Sequence, residues 1–169
     1  MIIQNVELNV INMASDKVTA CCQALIEKNL TISFAESASA GKMCYEFSTV
    51  INSGRILIGG IVCYHTSMKE DLLLIPWGTI EKYSAESAEV TKLMAQHFYR
   101  YANSDFCVAL TGLTTPGGSE SSSKPVGTIF IHIVFKEKQI AKRYEFKGNP
   151  ESIINQAIDA VADLILKEI

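Results

Sequence analysis

No CxxC pair, no Cys/His cluster and no other zinc-ligand spacing occurs in this chain, which excludes a structural zinc site as its organising element. The five cysteines, Cys21, Cys22, Cys44, Cys63 and Cys107, are odd in number, two are adjacent, and each sits in an apolar segment. That pattern argues against a disulfide framework and for buried, reduced thiols. No apolar run approaches the roughly 20 residues that span a bilayer. The opening MIIQNVELNV carries no basic stretch and an early glutamate, unlike a secretory leader. Basic residues are not in excess either: 15 Lys and Arg against 18 Asp and Glu give a net charge of −3, which leaves no footprint for nucleic acid. With 4 prolines and no Gly- or Ser-rich linker, nothing divides the 169 residues. The expectation is a cytoplasmic protein with one domain at 13–169 and an N-terminal extension or added edge strand at 1–12.

What the chain does contain is alternating helical and strand-like segments. Ser15 is a cap candidate for a helix with Val18, Cys21, Cys22, Leu25 and Ile26 on one face, ending near Asn29. Residues 31–35 read as a short buried strand, and 39–51 return to helical spacing through Met43, Phe47 and Val50. The continuous apolar run ILIGGIVCY, residues 56–64, predicts a strand covered on both faces. A short helix follows at 66–74, capped by Thr66 or Ser67. A long one opens with Ser84 as its cap and carries Val90, Leu93, Met94, His97 and Phe98. Residues 106–111 form another apolar strand, and 114–125 are a loop. Two β-rich runs, 127–135 and 139–146, predict a hairpin, and Asn149-Pro150 starts a final helix to about Lys167. The fold class that follows is α/β: a three-layer α/β/α sandwich around a mixed, mostly parallel sheet.

Three strand exits concentrate the chemistry. ISFAESASAG, residues 32–41, places Ser37 between a strand and a helix, where open α/β sheets bind ligands and helix N-termini favour anions. Ser37 is a candidate nucleophile, although N-capping is the commoner role for a serine at such a junction. At the second exit, Tyr64 and Lys69 stand five residues apart across a strand-to-helix junction. A lysine serves as a base only when burial keeps it largely uncharged, and a tyrosine hydroxyl can relay its proton. His65 beside them reads as an exposed bystander. The third exit, Thr111-Gly112 through Gly117-Gly118, offers backbone N–H groups for an oxyanion or a phosphate. It has neither the GxxxxGK[ST] nor the GxGxxG spacing.

These segments, AES at 35–37, GGIVCYHTSMK at 59–69, TG at 111–112, PGG at 116–118 and KPVGT at 124–128, resemble the C-terminal domain of CinA, the competence/damage-inducible family. The likeness runs from about residue 13 to 169. It implies a Ser/Lys amidohydrolase that converts nicotinamide mononucleotide to nicotinate mononucleotide and ammonia. Ser37 would be the nucleophile, Lys69 the base and Tyr64 its helper. Ser39, Gly41, Thr111, Gly112, Gly117, Gly118 and Lys147 would bind a mononucleotide-like substrate. No metal or redox cofactor is implied, because Ser/Lys chemistry needs neither. The resemblance also implies a homo-oligomer.

The chain departs from the family pattern at identifiable places. The usual AESCTGG is here Ala35-Glu-Ser-Ala-Ser-Ala-Gly41, and GIAGPGG is Gly112-Leu-Thr-Thr-Pro-Gly-Gly118. A GDR stretch, whose arginine contacts substrate in the family, is replaced by Gly148-Asn149-Pro150, and a second usual arginine aligns near Ile154. Loss of a desolvated charge beside a phosphate costs on the order of 2–5 kcal/mol. Lys147, one residue away, is the cation nearest in sequence. The departures leave open a divergent member with another small amide substrate, or a nucleotide-binding protein without catalysis.

Overall fold

In the computed structural model, which describes residues 14–169, the Ser15 hydroxyl accepts from the Val18 N–H and caps helix α1 (Asp16–Lys28). Asn29 closes that helix at a left-handed φ of 53°. Expectations for residues 1–12 fall outside the described residues. The chain continues through β1 (Ile32–Glu36), α2 (Lys42–Ser48), a 3-10 turn (Ser53–Arg55), β2 (Leu57–Val62), α3 (Thr66–Asp71), α4 (Thr79–Tyr83) and α5 (Ala88–Ala102). It then runs through β3 (Phe106–Gly112), β4 (Thr128–Phe135), β5 (Lys138–Glu145) and α6 (Pro150–Leu166).

The sheet order is β2-β1-β3-β4-β5. β1 pairs in parallel with both β2 and β3, while β4 is antiparallel to β3 and β5. Four strands therefore point the same way, and β4 alone opposes them. Helices α1, α2 and α6 cover one face, packed on Phe34, Phe106 and Val108. Helix α5 covers the other, against Ala35, Cys107 and Ala109, whose small side chains let the helix lie close. The expected three-layer sandwich stands, with β1 and β3 buried on both faces. Each fully buried Phe or Leu of these layers contributes about 1.5–3 kcal/mol.

Three sequence-based expectations need correction. β2 is not covered on both faces: it is the sheet's edge, its residues alternate between half-buried and exposed, and Ile58 and Val62 are 53% and 41% exposed. The cap of α5 is Ser87, whose hydroxyl accepts from the Val90 N–H. Ser84 instead ends α4, a short helix the pattern missed, at a φ of 70°. The cap of α3 is His65, whose ring nitrogen accepts from the Ser67 N–H. The final helix does begin at Asn149-Pro150, with the Asn149 side chain accepting from the Ser152 N–H at 2.8 Å.

All five cysteines are free thiols, four of them buried. Burial pushes Cys22 and Cys107 up to about 12, which keeps them protonated and inert. Among the described residues, no helix is long and apolar enough to cross a membrane.

Candidate active site

The parallel arrangement of β1, β2 and β3 brings their carboxyl ends to one rim. Ser37 follows β1 directly, and its N–H donates to the Leu110 carbonyl of β3 at 3.0 Å, which fixes the turn. Cys63 and Tyr64 follow β2, and one turn into α3 the Lys69 side chain folds back beneath them. Lys69 is 1% exposed, an unusual place for an amine. Its Nζ lies 3.0 Å from Ser37 Oγ, 2.6 Å from the Cys63 carbonyl and 3.2 Å from the Tyr64 carbonyl. Burial holds the amine below its ordinary value of 10.5, opposed by the charges of Cys63 and Glu86. The structure thus joins two of the three expected catalytic residues.

Tyr64 joins them differently from expectation. Its backbone carbonyl, not its hydroxyl, contacts the amine, and the residue is 67% exposed. Tyr64 lines a cavity of about 190 Å³ beside Ser37. Ala38, Glu86 and the loop 112–118 form the rest of its wall.

Of the residues expected to bind substrate, Gly112, Gly117 and Gly118 line this cavity. Gly112 also has a packing reason: a Cβ there would stand 2.5 Å from the Thr128 carbonyl. The Gly117 N–H, at a φ of 97°, already donates to Glu120 Oε1 at 2.8 Å. The Gly117, Glu120 and Gly118 N–H groups hold the Glu120 carboxyl below the usual range. The expected anion nest therefore has an occupant from its own loop.

Ser39, Gly41, Thr111 and Lys147 are not part of the cavity wall. Ser39 Oγ, the Gly41 N–H and the Met43 N–H all donate to Glu36 Oε2, at 2.6, 3.0 and 3.1 Å, and the Cys44 N–H donates to Oε1 at 2.8 Å. The start of α2, read from sequence as a site for a substrate anion, is satisfied by this buried carboxylate. Thr111 is fully buried under α5. Thr91 Oγ1 donates to the Ser87 carbonyl at 2.6 Å, so at 2.7 Å it accepts from Thr111. Lys147 is exposed after β5, on the side of the sheet opposite β2.

Two residues at the site were missed. Lys124 of the KPVGT stretch donates to Ser84 Oγ at 2.6 Å, Ser119 Oγ at 2.7 Å and the Glu86 carbonyl at 3.0 Å, tying the loop to the start of α5. Ser119 Oγ in turn donates to Glu86 Oε2. Lys124 was visible as part of a quoted motif. Glu86 looked like one more residue of a helix cap. Among the described residues, no group of three His, Cys, Asp or Glu could hold a metal ion.

A sheet covered by helices on both faces, with a buried serine–lysine contact where its parallel strands end, defines a class: α/β/α sandwiches with a candidate site at the carboxyl rim. The profile of the CinA C-terminal domain matches residues 15–169, and the chain belongs to that family. It is 32% identical over 151 residues to a CinA-like protein of Desulfotalea psychrophila, covering 87% of this chain and 36% of that one. It is 33% identical over 145 residues to a CinA-like protein of Flavobacterium psychrophilum, covering 86% and 34%. The chain thus spans about a third of these curated relatives' length. Its fold is similar to the crystal structure of a competence-damaged protein (CinA) superfamily protein from Escherichia coli, with a TM-score of 0.85 at 24% identity over 100% of this chain and 96% of the other. The competence/damage inducible protein CihA from Agrobacterium tumefaciens gives 0.85 at 20% identity, over 92% and 97%.

Proposed function

We propose that the chain is an amidohydrolase of small carboxamides resembling nicotinamide mononucleotide deamidase, with Ser37 as nucleophile and Lys69 as base. One observation carries this reading: the three neighbours of Lys69 Nζ. An uncharged amine has two hydrogens and one lone pair. The Cys63 and Tyr64 carbonyls can only accept, so they take the two hydrogens and leave the lone pair facing Ser37 Oγ. That is the arrangement a base needs to remove the serine proton.

In this reading Ser37 Oγ attacks the carboxamide carbon as its proton passes to Lys69. The Ala38 N–H, at the cavity wall and without a backbone partner among the described residues, is available to the oxyanion. The C–N bond breaks as Lys69 returns the proton to the departing ammonia. Water then attacks the Ser37 ester carbon as its proton passes to Lys69, the C–Oγ bond breaks as Lys69 returns that proton to Ser37 Oγ, and the acid formed leaves, ionising to its carboxylate in water. Tyr64, at the cavity wall, borders the substrate.

The wall of the cavity favours the variant of this reading in which the substrate is another small amide. No Lys or Arg lines it, and Pro150 at the first turn of α6 stands where the family carries a substrate-contacting arginine. Assembly with further copies belongs to the same proposal. Ammonia release from nicotinamide mononucleotide and from a panel of smaller carboxamides, compared between the native protein and Ser37→Ala, tests it. Turnover by the native protein alone is expected. No ammonia above background from any amide would remove the hydrolytic reading.

A further inference from the structure

Two stretches far apart in the chain meet in the wall of the Ser37 cavity: Glu86, in the turn ahead of α5, and the loop residues 112–118. Among the described residues, no backbone hydrogen bond joins the turn 84–87 to residues 113–126. Side chains join them instead. Lys124 Nζ donates to Ser84 Oγ at 2.6 Å and to the Glu86 carbonyl at 3.0 Å, and the Ser119 hydroxyl donates to Glu86 Oε2. Lys124 stands behind the last of these links as well. It donates to Ser119 Oγ at 2.7 Å, and a hydroxyl that accepts from an ammonium keeps its single hydrogen for the carboxylate. Three acceptors therefore use all three hydrogens of one side chain.

Both ends of this link are fixed. At the lysine's own end, the Lys124 N–H and carbonyl pair with Ser121 at 3.1 and 3.0 Å, and Arg143 of β5 donates to the Ser123 carbonyl at 2.7 Å. At the far end, Ser84 is held at φ 70° and ψ 159°, a backbone conformation that belongs to glycine. Its N–H donates to the Ile80 carbonyl at 2.8 Å and its carbonyl accepts from Ser87 Oγ at 2.9 Å. Its hydroxyl, while accepting from Lys124, donates to the Glu86 carbonyl at 3.3 Å. A strained residue persists only where its surroundings over-determine it, and such residues gather at functional sites.

We infer that Lys124 is a positioning residue for the substrate: it sets the spacing between Glu86 and the glycine loop, the two parts of the cavity wall that come from different elements. It acts through them, since it is not part of the wall and bonds to neither Ser37 nor Lys69. The inference rests on the amidohydrolase reading for the reaction, and it deepens that reading by naming what holds the substrate's seat in place. A misplacement of about 1 Å in a bound reactant costs up to about a hundredfold in rate, so a clamp outside the site has leverage on it.

Lys124→Met keeps the length of the stem and removes all three donors. Ammonia release is followed with the carboxamide of the panel above that the native protein turns over fastest. KM should rise at least about tenfold, while the pH at which kcat climbs, set by Lys69, stays where it is. Ser119→Ala added to Lys124→Met should raise KM no further, because the two side chains form one link. Hydrogen exchange supplies a readout without substrate. Peptides covering 84–90 and 117–124 should exchange faster together in Lys124→Met, and those of α6 should be unchanged, which reports an intact fold. An unchanged KM, a displaced pH profile, or faster exchange spread through α6 would overturn the inference. Ammonia release with the same KM in both proteins would leave the hydrolase and remove the role of Lys124. No ammonia from the native protein, with exchange of the two stretches still coupled through Lys124, would remove the hydrolase and leave the clamp.

Discussion

Ala40 occupies a left-handed φ of 49° in the turn between Ser37 and α2, where a side chain crowds the backbone. Glycine adopts this conformation without that crowding, and Ala40→Gly should raise stability by about 1 kcal/mol, read as a higher urea midpoint at unchanged slope. Its neighbour Ser39 illustrates how a hydroxyl in a promising motif acquires a different partner: Glu36 is buried, needs donors, and takes it at 2.6 Å. Lys69 gives the sharpest single-residue expectation. Lys69→Met and Ser37→Ala should each lower kcat by at least about a thousandfold, and the double variant should be no worse, because the pair acts as a unit. The pH dependence has a definite sign. Burial lowers the folded-state value of Lys69 beneath 10.5, so the unfolded chain binds more protons between the two values. Stability of the native protein relative to Lys69→Met should therefore rise with pH across that window, and it is lost as pH falls through the folded value. The rate should climb through the same folded value as the amine loses its proton. Urea melts and a kcat–pH profile of both proteins check the two signs.

Among the elements, the start of α5 carries more of the site than its pattern suggested. Ser87 caps the helix, and its hydroxyl also donates to the Ser84 carbonyl at 2.9 Å, so one side chain closes the turn that presents Glu86. Ser87→Ala should cost about 1 kcal/mol. Ser84→Ala, which removes one of three contacts of Lys124, should cost less, and paired denaturation curves rank the two. The loop 114–125 shows the complementary case. Its glycines suggested an empty anion nest, yet Glu120 supplies the anion from three residues downstream of Gly117. Short-range carboxylates outcompete a ligand that must arrive from solution, because their local concentration is fixed by the chain. The edge position of β2 has a similar origin. Its run of apolar residues is the same whether a strand is central or marginal, and only the pairing of β1 with both β2 and β3 decides which it is.

Across the molecule, apolar surface collects near that edge: Ile58 and Val62 on β2 are exposed, and the exposed Leu72, Leu74 and Tyr101 line one cavity with Ile61 of β2. A strand edge with no further neighbour among the described residues, beside exposed aromatic and aliphatic side chains, is a surface that another chain can cover. The proposed self-association should run through it. Light scattering after size exclusion should give a mass above 18.6 kDa that falls to the monomer value in Ile58→Asp combined with Leu74→Asp. A monomeric native protein would end that part of the proposal.

The order of helices and strands apart from α4, the caps Ser15 and Asn149, the hairpin and the layer class were legible in the residues. They follow from hydrophobic period, capping chemistry and turn composition, which act over a few neighbours. Ser37 and Lys69 were legible as candidates because each ends or follows a strand of the same sense. Their 3.0 Å contact, the partners of Ser39 and Thr111, the edge position of β2 and the place of Glu86 were settled by folding, since each joins groups far apart in the chain. A local pattern fixes which face a side chain takes along its own element. Which distant donor or acceptor it meets depends on how the layers pack and on which buried polar group most needs a partner.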